Sequence, residues 1–266
     1  MITRIISGAV LAAGLVAILL FVPQNGILFA VAVVSSVALY EFCSANFGKG
    51  KISVKLLSFV IGMGLLFLPE ACTRLLLTFG LIASLILPVF LYKKISFKDV
   101  AKAFFGAIYI FGLLKYIYLT RIGGGGKFLV FAIFIGAFFT DIGAYFIGML
   151  SGKHKLTEIS PKKTVEGAVG GVLVTIAAFA VYAFIGLRCM HYGVNIFNLF
   201  VTGIVLAVCS ELGDLAASVI KREVGIKDYG NLIPGHGGIL DRIDSVLFTA
   251  PVFYYLNLVL PVFIIK

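Results

Sequence analysis

The chain has 266 residues, of which 61% are hydrophobic and only 13% charged, with 25 phenylalanines and a formal net charge of +10. Soluble domains carry roughly 25% charged residues, so a water-facing globule is excluded and a bilayer-embedded protein is expected. The positive balance does not point to nucleic acid, because the Lys and Arg residues sit in short loops between apolar stretches.

Taken in chain order, the first element is an apolar run from Ile5 to Val22. It is too long for a typical signal-peptide core, and Pro23-Gln24-Asn25-Gly26 offers no small-x-small cleavage site, so an uncleaved first span is expected. Further spans are expected at roughly 27–45, 54–69, 73–92 and 101–120, the third being short and closed by Pro69-Glu70. Gly123 to Gly126 reads as a flexible four-glycine turn. Beyond it come spans at roughly 128–150, 167–187, 196–220 and 245–265. Backbone polar groups in hydrocarbon must pair within their own segment, so these are helices. The expected fold is all-α, a polytopic membrane protein of about nine transmembrane helices. The chain reads as one integral membrane domain over 1–266, with less characteristic spans in 1–100 and the chemistry in 128–266. Cys43, Cys72, Cys189 and Cys209 show no metal-ligand spacing and read as small core residues.

The loops set an orientation. With nine alternating helices, one side collects Arg4, Lys49, Lys51, Lys55, Lys93, Lys94, Lys98, Lys102, Lys153, Lys155, Lys162, Lys163, Lys221, Arg222, Lys227 and Arg242. The other holds Arg74, Arg121, Lys127, Arg188 and Lys266. The basic-rich side is expected to be cytoplasmic, and with it the N-terminus.

Ionisable residues inside spans are costly and are functional candidates. Glu41 and Lys115 stand alone in the sequence, each open between a structural partner and a site residue. In the eighth span, Glu211, Asp214, Ser218, Lys221 and Arg222 recur at helical spacing on one stripe. The stripe suits a metal ion below and phosphates above, or else an internal salt bridge with snorkelling cations. The following loop carries Lys227-Asp228 and Pro234-Gly235-His236-Gly237-Gly238, then Asp241-Arg242-Ile243-Asp244. Glycines and a helix N-terminus suit a phosphate. Carboxylates beside a phosphate need a cation between them, and Mg2+ commonly takes one or two carboxylates plus substrate oxygens. A second polar block has Asp141 and Tyr145 on one helix face, then a basic loop with Ser160, Lys162, Lys163 and Thr164 before Glu166-Gly167.

The run Ser218-x-x-Lys221-Arg222-x4-Lys227-Asp228-x-Gly230-x2-Ile233-Pro234-x-His236-Gly237-Gly238-Ile239-x-Asp241-Arg242-Ile243-Asp244 resembles the signature of the phosphatidate cytidylyltransferase (CDP-diacylglycerol synthase) family. Asp141-x-x-Ala144-Tyr145-Phe146-x-Gly148 and Ile159-Ser160-Pro161-Lys162-Lys163-Thr164-x-Glu166-Gly167 resemble its second block. The first hundred residues match only as hydrophobic spans. The resemblance implies transfer of a cytidylyl group from CTP to phosphatidic acid, giving CDP-diacylglycerol and pyrophosphate. It implies Mg2+, with room for a second cation such as K+, held chiefly by Asp214 and Asp241, with Asp244 and Glu211 as secondary candidates. Lys221, Arg222 and Arg242 would hold phosphate oxygens, and Gly235 to Gly238 would cradle the CTP phosphates beside His236. Ser160, Lys162, Lys163 and Thr164 would complete an anion funnel, and Asp141 would support the metal or the lipid head group. The implied setting is the inner or plasma membrane of a bacterium, with the active-site loops in the cytoplasm and the protein a homodimer. Two other functions stay open on sequence: CTP-dependent activation of another lipid phosphate, and a cation-coupled membrane transporter. A CDP-alcohol phosphotransferase is disfavoured, because its Asp-Gly signature is missing from the chain.

Overall fold

The computed structural model describes residues 2–47, 50–232 and 237–264, with side chains described from Gly8 onward. Among the described residues the chain forms nine helical rods: α1 (Ile2–Phe21), α2 (Gln24–Phe47), α3 (Ile52–Phe67), α4 (Glu70–Phe90), α5 (Phe97–Ile122), α6 (Gly126–Ser151), α7 (Val165–Cys189), α8 (Ile196–Glu223) and α9 (Leu240–Val259). Two short strands, β1 (Gly193–Val194) and β2 (Phe263–Ile264), pair antiparallel. The protein is an all-α polytopic membrane protein. Six helices, α2 and α4 to α8, are long and apolar enough to cross a membrane, while α1 and α3 contain shorter apolar stretches. Many large apolar side chains, Phe21, Phe90, Leu150 and Val259 among them, are exposed, as lipid-facing helix surfaces require.

Local chemistry sets the helix ends. Ser96 and Asp99 form a reciprocal capping box at the start of α5, and Lys51 pairs with Asp99 at 2.7 Å. Thr164 caps α7, its hydroxyl accepting the Gly167 N–H at 3.1 Å. The four-glycine turn is ordered by a specific conformation: Gly125 adopts φ 66° and caps α6, and the Gly126 N–H donates to the Gly123 carbonyl. Gly225, at φ 72°, follows the end of α8, whose last turn carries Lys221 and Arg222. The last helix departs from the expected 245–265. It begins at Leu240, with Asp241, Arg242 and Asp244 inside its opening turns, and it ends at Val259, before Pro261. The chain then leaves the helix to pair with β1.

Two compact units divide the chain. The first comprises Met1–Tyr118 and Val224–Arg242, the second Leu119–Glu223 and Ile243–Lys266. In the first unit α5 contains a π-helical stretch, Ile108–Gly112, and Phe111 packs edge-on to Phe59 at 6.3 Å and against Gly62. Lys115, one turn further on, donates to the Leu65 carbonyl at 2.7 Å and so satisfies an orphan acceptor in the last turn of α3. In the second unit α6 and α7 pack closely: a Cβ on Gly143 would lie 2.8 Å from Val174 and 2.9 Å from the Gly170 carbonyl. Thr140 and Thr175 share a buried 2.7 Å hydrogen bond across the same pair of helices. The reading of the cysteines as core residues holds only for Cys43; Cys72 and Cys189 are exposed and Cys209 is half-buried.

Candidate functional site

In the second unit the stripe on α8 meets the loop between α6 and α7. That loop is folded back on itself. Lys155 and Thr164 form a β-bridge, the Leu156 N–H donates to the Lys163 carbonyl and the Val165 N–H to the His154 carbonyl, both at 2.9 Å. Glu166 fastens its base, accepting the N–H groups of Lys153 and His154 and lying 2.6 Å from His154 Nδ1. The fold-back aims Lys163 inward. Its ammonium lies 2.5 Å from Glu211 Oε2 and 2.6 Å from Asp214 Oδ2. Burial alone would pull the Lys163 pKa down, but Asp214 and Glu211 outweigh it and hold the ammonium above its ordinary value.

The other end of the stripe is cationic. Ser218 and Lys221 are buried, and Lys221 Nζ lies 4.0 Å from Asp244 Oδ2. Asp244 also accepts the N–H of Ser245 at 2.9 Å, and its charged neighbours are Asp214, Lys221 and Asp141. Glu211 Oε1 is buried and accepts no hydrogen bond from the described residues. A buried carboxylate oxygen left without a donor is costly, and a cation is the natural way to satisfy it.

In the first unit the signature loop is folded around carboxylates. Asp241 Oδ2 accepts the N–H of Tyr229 at 2.7 Å and of Gly238 at 3.1 Å. Glu41, a buried residue of α2, accepts the N–H of Ile239 at 3.0 Å and of Leu240 at 2.8 Å. These are the N–H groups that the sequence offered to a phosphate. Gly237 adopts φ 85° beside Asp228 and Asp241.

Of the residues singled out from sequence, Lys163, Glu211, Asp214, Lys221 and Asp244 gather in the second unit, with Asp141 among the charges around Asp244. Arg222, Lys227, Asp228, Arg242, Tyr145 and Lys162 lie exposed, and Ser160 is half-buried, its carbonyl accepting the Lys163 N–H. Thr164 serves as the α7 cap. Gly235 and His236 lie outside the described residues. Sequence reasoning left Glu41 unassigned. Its one signal was a lone carboxylate in a span, and its partners lie 198 and 199 residues away.

Among the described residues no group of three or more His, Cys, Asp or Glu side chains is arranged to hold a metal by itself. Mg2+ does not require such a cage, since it binds through one or two carboxylates together with substrate phosphates. Glu211 and Asp214, which converge on the Lys163 ammonium, and the buried Glu211 Oε1 supply hard oxygens that fit such an ion.

The sequence profile of the Cytidylyltransferase family matches residues 2–260. The chain belongs to this family. Within it, a phosphatidate cytidylyltransferase of Staphylococcus haemolyticus is 40% identical over 160 residues, covering 60% of this chain and 59% of the relative. One of Bacillus subtilis is 38% identical over 180 residues, covering 67% of this chain and 65% of the relative. One of Staphylococcus aureus is 32% identical over 251 residues, covering 89% of this chain and 94% of the relative. The chain thus spans less than two thirds of the length of the first two relatives and nearly all of the third.

Proposed function

We propose that this cytidylyltransferase family member transfers a cytidylyl group from CTP to phosphatidic acid, giving CDP-diacylglycerol and pyrophosphate. The observation that carries the reading is the cluster on α8. Glu211 and Asp214 are paired with Lys163, and Asp244 with Lys221, in a family whose matched relatives are named for this reaction. An oxygen of the lipid phosphate attacks the α-phosphorus of CTP, the bond to the β-phosphate oxygen breaks, and pyrophosphate leaves with those electrons. A phosphate monoester is largely ionised at neutral pH, so no separate general base is needed. What the protein must supply is position and positive charge among several anions.

Lys163 and Lys221 supply that charge from opposite ends of the stripe, and Ser218 adds a hydroxyl between them. By the family resemblance Asp214 and Asp241 would be the chief ligands of Mg2+, with Asp244 and Glu211 secondary and a second cation such as K+ held by the same acids. The metal, when bound, neutralises phosphate oxygens and stabilises the leaving pyrophosphate. Arg222, exposed in the last turn of α8, suits a phosphate oxygen of the substrates. The family resemblance also supports a homodimer. The asymmetry of basic loops supports active-site loops on the cytoplasmic side of a bacterial plasma membrane, where CTP is available.

The test is pyrophosphate release by the purified chain. Release should require CTP, phosphatidic acid and Mg2+ together, and should be slower with an isoprenoid-ether lipid phosphate. No release under any of these conditions overturns the reading. Lys221→Ala should lower kcat/KM about tenfold to a hundredfold, as loss of a charge-assisted phosphate contact does. Lys93→Ala, on an exposed loop, should leave it unchanged; equal effects would reduce the stripe to a topological signal.

A further inference from the structure

We propose that Glu41, in the second helix, is a positioning residue for this reaction, holding the start of α9 and, through it, Asp241. A carboxylate buried in a membrane span must be paired, and Glu41 finds its partners in the signature loop. Its two oxygens accept the N–H groups of Ile239 and Leu240, at 3.0 and 2.8 Å. The positive end of a helix favours such a carboxylate. Two signature glycines make room for it. A Cβ on Gly238 would stand 2.6 Å from Glu41 Oε2, and one on Gly230 would stand 2.8 Å from Oε1.

Gly238 is the hinge of the arrangement. One face abuts the Glu41 carboxylate, while its N–H donates to Asp241 Oδ2. Asp241 also accepts the Tyr229 N–H. Glu41 and Asp241 therefore share one short piece of backbone, and loosening the first releases a donor of the second. Neither glycine needs a positive φ for this; the absent Cβ is what the carboxylate requires. Gly230 and Gly238 are thus explained by a side chain in the N-terminal half of the chain, which carries no signature of its own.

The test uses the full chain and two readouts, and its turnover arm rests on the cytidylyl-transfer reading. Glu41→Gln should speed backbone hydrogen exchange of segment 229–241 at least about tenfold while leaving 165–189 unchanged. It should lower kcat about tenfold or more, with the KM for phosphatidic acid within about twofold. Gly238→Ala, which displaces the carboxylate, should reproduce both effects, and the double variant should be no worse than Gly238→Ala alone. Glu41→Asp should recover part of the exchange protection. Faster exchange throughout the chain, or multiplicative losses in the double variant, would overturn the proposal, as would normal turnover with a loosened loop. A wild-type chain inactive toward every lipid phosphate would instead count against the reaction, and the exchange arm would still judge Glu41.

Discussion

The two units neutralise buried acid in different ways. In the first, Glu41 and Asp241 rest on backbone N–H groups of Tyr229, Gly238, Ile239 and Leu240. In the second, Glu211 and Asp214 face the ammonium of Lys163, and Asp244 faces that of Lys221. Backbone dipoles are fixed by the fold, so the first arrangement sets a geometry. An ammonium on a four-carbon stem can move aside, so the second can exchange its cation for a metal or a phosphate-bound one.

That contrast can be broken by measurement. The largest effect is expected from Asp214→Asn, which removes charge where phosphate chemistry needs a cation. Turnover should fall about 1,000-fold, or about 4 kcal/mol in the barrier, with the protein still folded by circular dichroism; near-normal pyrophosphate release would remove the second unit from the chemistry. Next is Lys163→Met, which leaves Glu211 and Asp214 without their ammonium. Breaking such a pair costs roughly 3 kcal/mol, visible as a lower unfolding midpoint in the absence of Mg2+; an unchanged midpoint would mean the pair is replaced by water. Thr164→Ala sharpens the picture on a smaller scale. Loss of the α7 cap should cost about 1 kcal/mol and loosen the loop that carries Lys163, read as faster proteolysis within 152–164.

The smallest effect is a predicted constancy. The Lys163 pKa is raised above the ordinary 10.5, so its contribution is complete below that value and decays only as pH rises through the higher folded one. Proteolysis of the loop should therefore not change between about pH 6 and 9 through this group. A transition in that window which disappears in Lys163→Met would contradict the assignment.

Much of the fold was readable because apolar runs and their breakers mark helices directly. α6, α7 and α8 begin and end within a few residues of their expected limits. Hydrophobicity alone puts the last span at 245–265; the helix extends back to Leu240, taking in Asp241, Arg242 and Asp244, because Glu41 accepts the N–H groups at its start. The stripe on α8 was readable from helical spacing alone. The family resemblance implies an anion funnel around Lys163 but not which acids lie beside it. Its real neighbours, Glu211 and Asp214, come from a helix some fifty residues later, brought near by the fold-back of the loop. The capping of α7 by the Thr164 hydroxyl likewise depends on where the loop ends and the helix begins. Short-range spacing reveals a face; it does not reveal what that face meets.

The pairing of Glu41 with Ile239 and Leu240 also imposes an order in time. Glu41 is made about 200 residues before the amides that donate to it. At roughly 5–20 residues per second, the interval is about 10–40 s. Throughout it, the second helix carries a carboxylate whose final hydrogen-bond donors do not yet exist. Assembly of the signature loop is therefore a late event, and a nascent chain stopped before residue 239 would hold an acid still waiting for its lock.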